Sequence, residues 1–131
     1  MPTDLDQLAS SMPFARDLGL ELTHAEPSRV CGTMPWAPER CTAGGVLHGG
    51  ALMAFADSLG AVCAFLNLPA EAATSTIESK TNFFRAVPEG TVNGAASPVH
   101  VGRSTIVIQT ECRDDRERLV SLTLQTQAIL L

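Results

Sequence analysis

At 131 residues, with 45% hydrophobic and 18% charged side chains, the chain has the size and make-up of one globular domain, residues 1–131, and not of a disordered or repeat protein. A formal net charge of −5 without any basic cluster disfavours nucleic acid and anionic membranes as partners. Four cysteines without a CxxC pair, and three scattered histidines, argue against a disulfide framework or a zinc site; no metal and no cofactor are expected.

The opening residues MPTDLDQLASSMPF lack a basic region followed by an apolar core, so no signal peptide is expected, and reduced thiols in a cytoplasmic protein are the simple reading. Leu5, Leu8, Met12, Ala15 and Leu18 recur at helical spacing; Asp4 can cap the start and Pro13 divides the segment. Leu20 to Ala25 reads as a strand closed by a turn at Glu26-Pro27-Ser28. Residues 29–36 alternate, Val30, Met34 and Trp36 against Arg29, Cys31 and Thr33, and 37–47 is loop. A long apolar helix follows and ends near Pro69-Ala70-Glu71. Residues 76–84 alternate through Ile77, Ser79, Thr81 and Phe83. Residues 91–101 are weaker, with Pro98 marking an edge or bulge. In 104–113, Ile106, Ile108 and Cys112 oppose Val107, Gln109 and Glu111. Asp114 to Glu117 makes a hairpin tip, after which Val120, Leu122, Leu124, Ala128 and Leu130 are expected to form the inner face of the last strand. Short connections among the last four strands imply antiparallel neighbours.

The stretch from Thr42 to Asn67, TAGGVLHGGALMAFADSLGAVCAFLN, organises the rest. Read as a helix it is apolar on nearly every face, which predicts burial; its interruption by Asp57, His48 and glycines argues against a membrane span. Between Gly49 and Leu66 the one charged residue is Asp57, and a lone carboxylate in apolar surroundings is a functional-site candidate. The triplet His48-Gly49-Gly50 falls at the helix start, where unpartnered backbone N–H groups and the helix dipole suit an anion or a developing oxyanion. The plainer alternative is that the glycines only permit close packing and Asp57 is a satisfied core carboxylate. A Cys41–His48 nucleophile pair is also conceivable, but nothing nearby supplies an orienting third group.

A distance constrains the arrangement. Gly50 and Asp57 stand seven residues apart, roughly 10 Å along a helix, whereas reacting atoms must come within ~3–3.5 Å. One helix cannot bring both to one carbonyl, but two copies packed antiparallel across a two-fold axis can, so the working unit is expected to be at least a homodimer.

The segments GVLHGGALMAFADSLGA and NFFRAVPEGTVNGAASPVHVGRSTIVIQTECRDDRERLVSLTLQTQAIL resemble hotdog-fold acyl-CoA thioesterases of the PaaI type, over about residues 20–131. The resemblance implies an α+β hotdog fold: one long buried helix wrapped by a curved, mostly antiparallel sheet, preceded by a short N-terminal helix. It implies an acyl- or aryl-CoA substrate, with coenzyme A entering as part of that substrate. Asp57 becomes the general base or nucleophile, and the Gly50 N–H the donor to the thioester oxygen. Gly49 stands beside it and His48 close to the leaving thiol, the two halves coming from different subunits of a dimer or dimer of dimers. Two departures stand out: Thr42 where relatives often have Asn or Gln, and Ala61 where many have Ser or Thr. For coenzyme A the resemblance favours Gly102, Arg103 and Ser104, with Asn82 and Arg85 as further contacts, a guanidinium suiting phosphate. Phe14, Met53, Phe55, Phe83 and Phe84 are candidates for an acyl pocket. The reading from another class is a non-hydrolytic acyl-CoA-binding or sensing module, in which Thr42 and Ala61 mark lost catalysis; a hotdog dehydratase fits poorly, lacking its His motif.

Overall fold

A computed structural model describes residues 4–131. The two N-terminal helical pieces are α1 (Leu5–Ser10) and α2 (Pro13–Asp17). Asp4 caps the first, accepting the Gln7 N–H at 3.1 Å, and Pro13 begins the second, where its missing N–H costs nothing. Strands β1 (Glu21–Glu26) and β2 (Arg29–Pro35) form a hairpin, and a single 3₁₀ turn, Pro38–Arg40, leads to the central helix α3 (Gly49–Leu66). Four strands follow: β3 (Ala73–Phe83), β4 (Thr91–Val101), β5 (Thr105–Arg113) and β6 (Leu119–Leu130).

All six strands join one antiparallel sheet in the order β1-β2-β4-β5-β6-β3, curled around α3. Two of the expected features differ. β3 and β4 are not neighbours despite their short connection: β3 pairs with β6 at the sheet edge, and β4 lies beside β2. Residues 84–90 run across three strand spacings, about 14 Å, well within the reach of seven extended residues. Val87, 2% exposed, plugs the end of the core on the way, its carbonyl accepting the Leu47 N–H at 2.9 Å. Pro98 sits past the point where β2 stops pairing, next to a bulge in the β4–β5 ladder.

The second difference is the inner face of β6. Val120 lies in the core as expected, but Leu124 and Leu130 are 44% and 49% exposed and point away from α3. The face toward the helix is polar instead, with Ser121, Thr123, Gln125 and Gln127 buried. On β5 the expected alternation holds: Ile106, Ile108 and Cys112 are inside.

The core is built on Phe55 and Leu59 of α3 with Met34, Val92, Ile106 and Ile108 of the sheet. Gly32 and Gly94 let the sheet approach: a Cβ on Gly94 would lie 2.7 Å from the Phe55 ring and would also strike Leu59. Helix α3 is not buried all round, as its composition suggests; Met53, Ala54, Asp57, Ser58 and Ala61 are only half-covered, on one stripe. Its 18 residues, with a mean hydropathy of 1.6, are long and apolar enough to cross a bilayer by length and composition, but here half of them pack inside the curl of the sheet.

Candidate active site

The loop that delivers the chain to α3 is held at several points. Gly44 and Gly45 take φ of 87° and 76°, a conformation that side chains resist, so these two glycines serve the turn. The Trp36 indole N–H donates to the Gly45 carbonyl at 3.0 Å, and the His48 N–H to the Arg40 carbonyl at 2.9 Å. His48 is thereby fixed as the N-cap of α3.

Its ring closes that cap: Nδ1 accepts the Gly50 N–H at 2.7 Å. A ring nitrogen that accepts carries no proton, so the neutral imidazole presents its N–H at Nε2, toward solvent. The same bond occupies the Gly50 amide, which was expected to face a ligand. The Gly49 N–H has no hydrogen-bond partner among the described residues and is the open donor at the helix tip. Phe83 lies against it, since a Cβ on Gly49 would come 3.2 Å from the ring.

Asp57 lies two turns further along α3, half-buried. Its Oδ1 accepts from Thr76 Oγ1 at 2.7 Å and from Gln125 Nε2 at 3.0 Å, and no cation pairs with it among the described residues. A β-bulge in β3 makes the first contact possible. Thr76 pairs with Gln127 and Glu78 with Thr126, which leaves Ile77 unpaired and 62% exposed. The extra residue shifts the side-chain parity, so Thr76 faces the helix along with Ser79 and Thr81. Neither Thr76 nor the two glutamines stood out in the sequence. The signal was the polar period-two run Thr123, Gln125, Gln127 in a strand whose leucines drew attention to the other face.

The remaining predicted residues fall in separate places. Gly49 and Asp57 stand about 12 Å apart along one regular helix. Thr42 is exposed in the approach loop, its N–H bonded to the Val46 carbonyl. Gly102, Arg103 and Ser104 form the β4–β5 turn, with Arg103 exposed. Asn82 and Arg85 lie at the opposite end of the sheet, near the helix tip: Asn82 pairs with Leu122, whereas Thr105 pairs with Ala128. One protomer therefore does not bring the five together. Phe55 is fully buried and belongs to the core, while Phe14 and Phe84 are exposed. Cys41 donates its thiol to the Ala37 carbonyl at 3.3 Å, and burial pushes the thiols of Cys63 and Cys112 up to about 11.

Two clefts flank this stripe of α3. One, of about 340 Å³, borders the helix tip and includes His48, Gly50, Arg40 and Phe14. The other, of about 540 Å³, lies between α1 and α3 and is lined by Leu8, Met12, Ala61, Val62 and Phe65; it opens one helical turn beyond Asp57. A further concavity of about 460 Å³, on the sheet face turned away from α3, contains none of the predicted site residues.

The model of the thioesterase superfamily matches residues 44–121, which take in the helix tip, Asp57 and most of the sheet. The chain belongs to the thioesterase superfamily. This thioesterase is 33% identical over 113 residues to 1,4-dihydroxy-2-naphthoyl-CoA hydrolase of Escherichia coli, an alignment covering 86% of this chain and 83% of that one. Among solved structures it is similar to a mutant thioesterase from Pseudomonas aeruginosa, with a TM-score of 0.93, 26% identity, and coverage of 99% and 96%. A thioesterase from Haemophilus influenzae aligns with a TM-score of 0.91, 26% identity, and coverage of 99% and 92%. The thioesterase thus has the hotdog architecture and hydrolyses thioesters.

Proposed function

We propose that this thioesterase acts on an acyl- or aryl-CoA ester as a homodimer, with Asp57 of one subunit and the helix tip of the other forming each site. The observation that carries the reading is the placement of Asp57: half-buried, held on Oδ1 by neutral donors only, with no bond to Oδ2 and no neutralising cation among the described residues. A carboxylate in that state retains a basic, nucleophilic oxygen.

The missing half is an electrophilic site for the thioester carbonyl. Its own helix tip is about 12 Å away, beyond reach of one carbonyl. A second copy can supply it, and two features favour that partner. β3 is an eleven-residue edge strand with unpaired backbone groups and exposed Ile77, and the stripe of α3 bearing Asp57 is only partly covered. In such a dimer the Gly49 N–H polarises the carbonyl; the Gly50 N–H joins it when the His48 ring turns away, and the His48 Nε2–H faces the departing sulfur. Asp57 either draws a proton from water, whose oxygen attacks the carbonyl carbon, or attacks directly to give a mixed anhydride that water cleaves. Both routes release a carboxylate and CoA.

The cleft between α1 and α3 is proposed for the acyl group; the small side chain of Ala61 keeps its mouth open toward Asp57. The name of the E. coli relative supports a CoA ester as substrate. Arg103 and Ser104 of one subunit, and Asn82 and Arg85, are proposed to meet the phosphates of coenzyme A. The test is hydrolysis of a panel of aliphatic and aromatic CoA esters by wild type and Asp57→Asn. Turnover by wild type and its loss in the variant is expected; tight binding without turnover by wild type would instead establish a non-catalytic binder.

A further inference from the structure

Two glutamines on the core-facing side of a strand are costly, since each buried carboxamide must find partners for what it loses in water. Gln125 is 0% and Gln127 1% exposed. Their bonds form a chain that ends on Asp57, which Gln125 touches directly and Gln127 only through Gln125 and Thr76. Gln125 Nε2 donates to Asp57 Oδ1 at 3.0 Å and to Gln127 Oε1 at 2.9 Å. Gln127 Nε2 donates to Thr74 Oγ1 at 3.2 Å, and Thr74 Oγ1 donates to the Ala128 carbonyl at 2.8 Å. Thr76 carries one hydroxyl proton with two acceptors in reach, Asp57 Oδ1 at 2.7 Å and Gln127 Oε1 at 2.5 Å; the carboxylate, as an anion, is the stronger claimant.

Every one of these bonds to Asp57 lands on Oδ1, and none lands on Oδ2. The helix is shaped to admit the clamp. Gly60 stands one turn beyond Asp57, and a Cβ there would collide with the Gln125 carboxamide. A glycine inside a helix costs about 1 kcal/mol against alanine, so its presence here goes with the space the carboxamide occupies.

We infer that Gln125 and Thr76, braced by Gln127, are positioning residues that fix the Asp57 carboxyl plane and leave Oδ2 alone facing the substrate. This rests on the thioesterase reading of Asp57 given above. A reacting oxygen misplaced by about 1 Å loses on the order of a hundredfold in rate, and an unclamped aspartate turns about its last bond by more than that.

The test compares Gln125→Met, Thr76→Val, Thr76→Ser and Gly60→Ala with wild type and Asp57→Asn, measuring kcat and KM on a hydrolysed CoA ester and melting temperature in parallel. Gln125→Met and Thr76→Val are expected to lower kcat roughly tenfold to a hundredfold with KM within about twofold. Thr76→Ser, which keeps the hydroxyl, restores most of the rate. Gly60→Ala lowers kcat without removing a polar atom. A role in folding alone would lower the melting temperature of Thr76→Val and Thr76→Ser alike and leave kcat of the folded enzyme near wild type; that result overturns the inference while the thioesterase reading stands. Wild type inert on the whole panel, or Asp57→Asn as active as wild type, sinks the underlying reading and this inference with it.

Discussion

The proposed inter-subunit site makes a quantitative prediction about mixtures of two disabled variants. Asp57→Asn removes the acid. Gly49→Pro removes the open amide at the helix tip, and the position tolerates it. Gly49 is the first residue of α3, where proline is favoured, and His48 at φ −63° and ψ 137° already has the extended conformation that a following proline requires. A Cβ at this position comes 3.2 Å from the ring of Phe83, which is 48% exposed. Losing one oxyanion donor costs about 2.7–4 kcal/mol, or roughly 10²–10³ in kcat, and losing the base costs roughly 10²–10⁴. Each variant alone is therefore expected below about 1% of wild type.

Co-expressed at equal levels, about half of the dimers are mixed, and each mixed dimer holds one intact site, from the acid of one chain and the tip of the other. The mixture should recover about one quarter of wild-type specific activity, well above either background. Differently tagged chains purified through both tags give mixed dimers alone, which should reach about one half. A mixture that stays as inactive as its components, with mixed dimers shown by mass, means that the acid and the tip work within one chain. The inter-subunit geometry would then be wrong.

Three further outcomes follow from the packing and the charges. Asp114, at the β5–β6 turn, is pushed up by burial, but the N–H groups of Arg118 and Arg116 and the Arg118 guanidinium at 2.8 Å outweigh this and hold it below the usual carboxylate range. A depressed folded value contributes stability above the unfolded value of about 3.9 and loses it as pH falls below that, so wild-type melting temperature should drop more steeply in acid than that of Asp114→Asn; equal slopes refute the assignment. Ellman's reagent at pH 8 should label Cys31 and Cys41 well before Cys63 and Cys112, whose burial raises both thiols to about 11, and all four together after unfolding; rapid native labelling of Cys63 would contradict this core. Gly94→Ala, which drives a methyl into Phe55 and Leu59, should destabilise by about 1–3 kcal/mol in urea titration, and an unchanged midpoint would show that the sheet yields there.

Much of this thioesterase was legible before any coordinate. Local signals fix local structure: Asp4 before an amphipathic turn, Pro13 opening a second one, and Gly49 beginning a long apolar run broken by one charge each act on neighbours within a few residues. Alternation put Val30 with Met34 and Ile106 with Ile108 on common faces for the same reason, and those faces are the buried ones. The lone charge in α3 also marked Asp57 by composition.

Tertiary structure decided the rest. Parity says which residues share a face, not which face turns inward, and on β6 the polar face turned inward, where Gln125 donates to Asp57. The bulge at Ile77, which swings Thr76 onto that carboxylate, adds one residue to a strand without changing its alternation as read along the chain. Likewise the capture of the Gly50 N–H by His48 depends on a side-chain torsion at the helix start, and left Gly49 as the open donor. The sequence by itself determined the elements and the family, and marked Asp57 as the candidate carboxylate. Only the folded chain decided which atoms hold that acid and which amide stands free, because those contacts join residues up to 68 positions apart, where neither propensity nor periodicity acts.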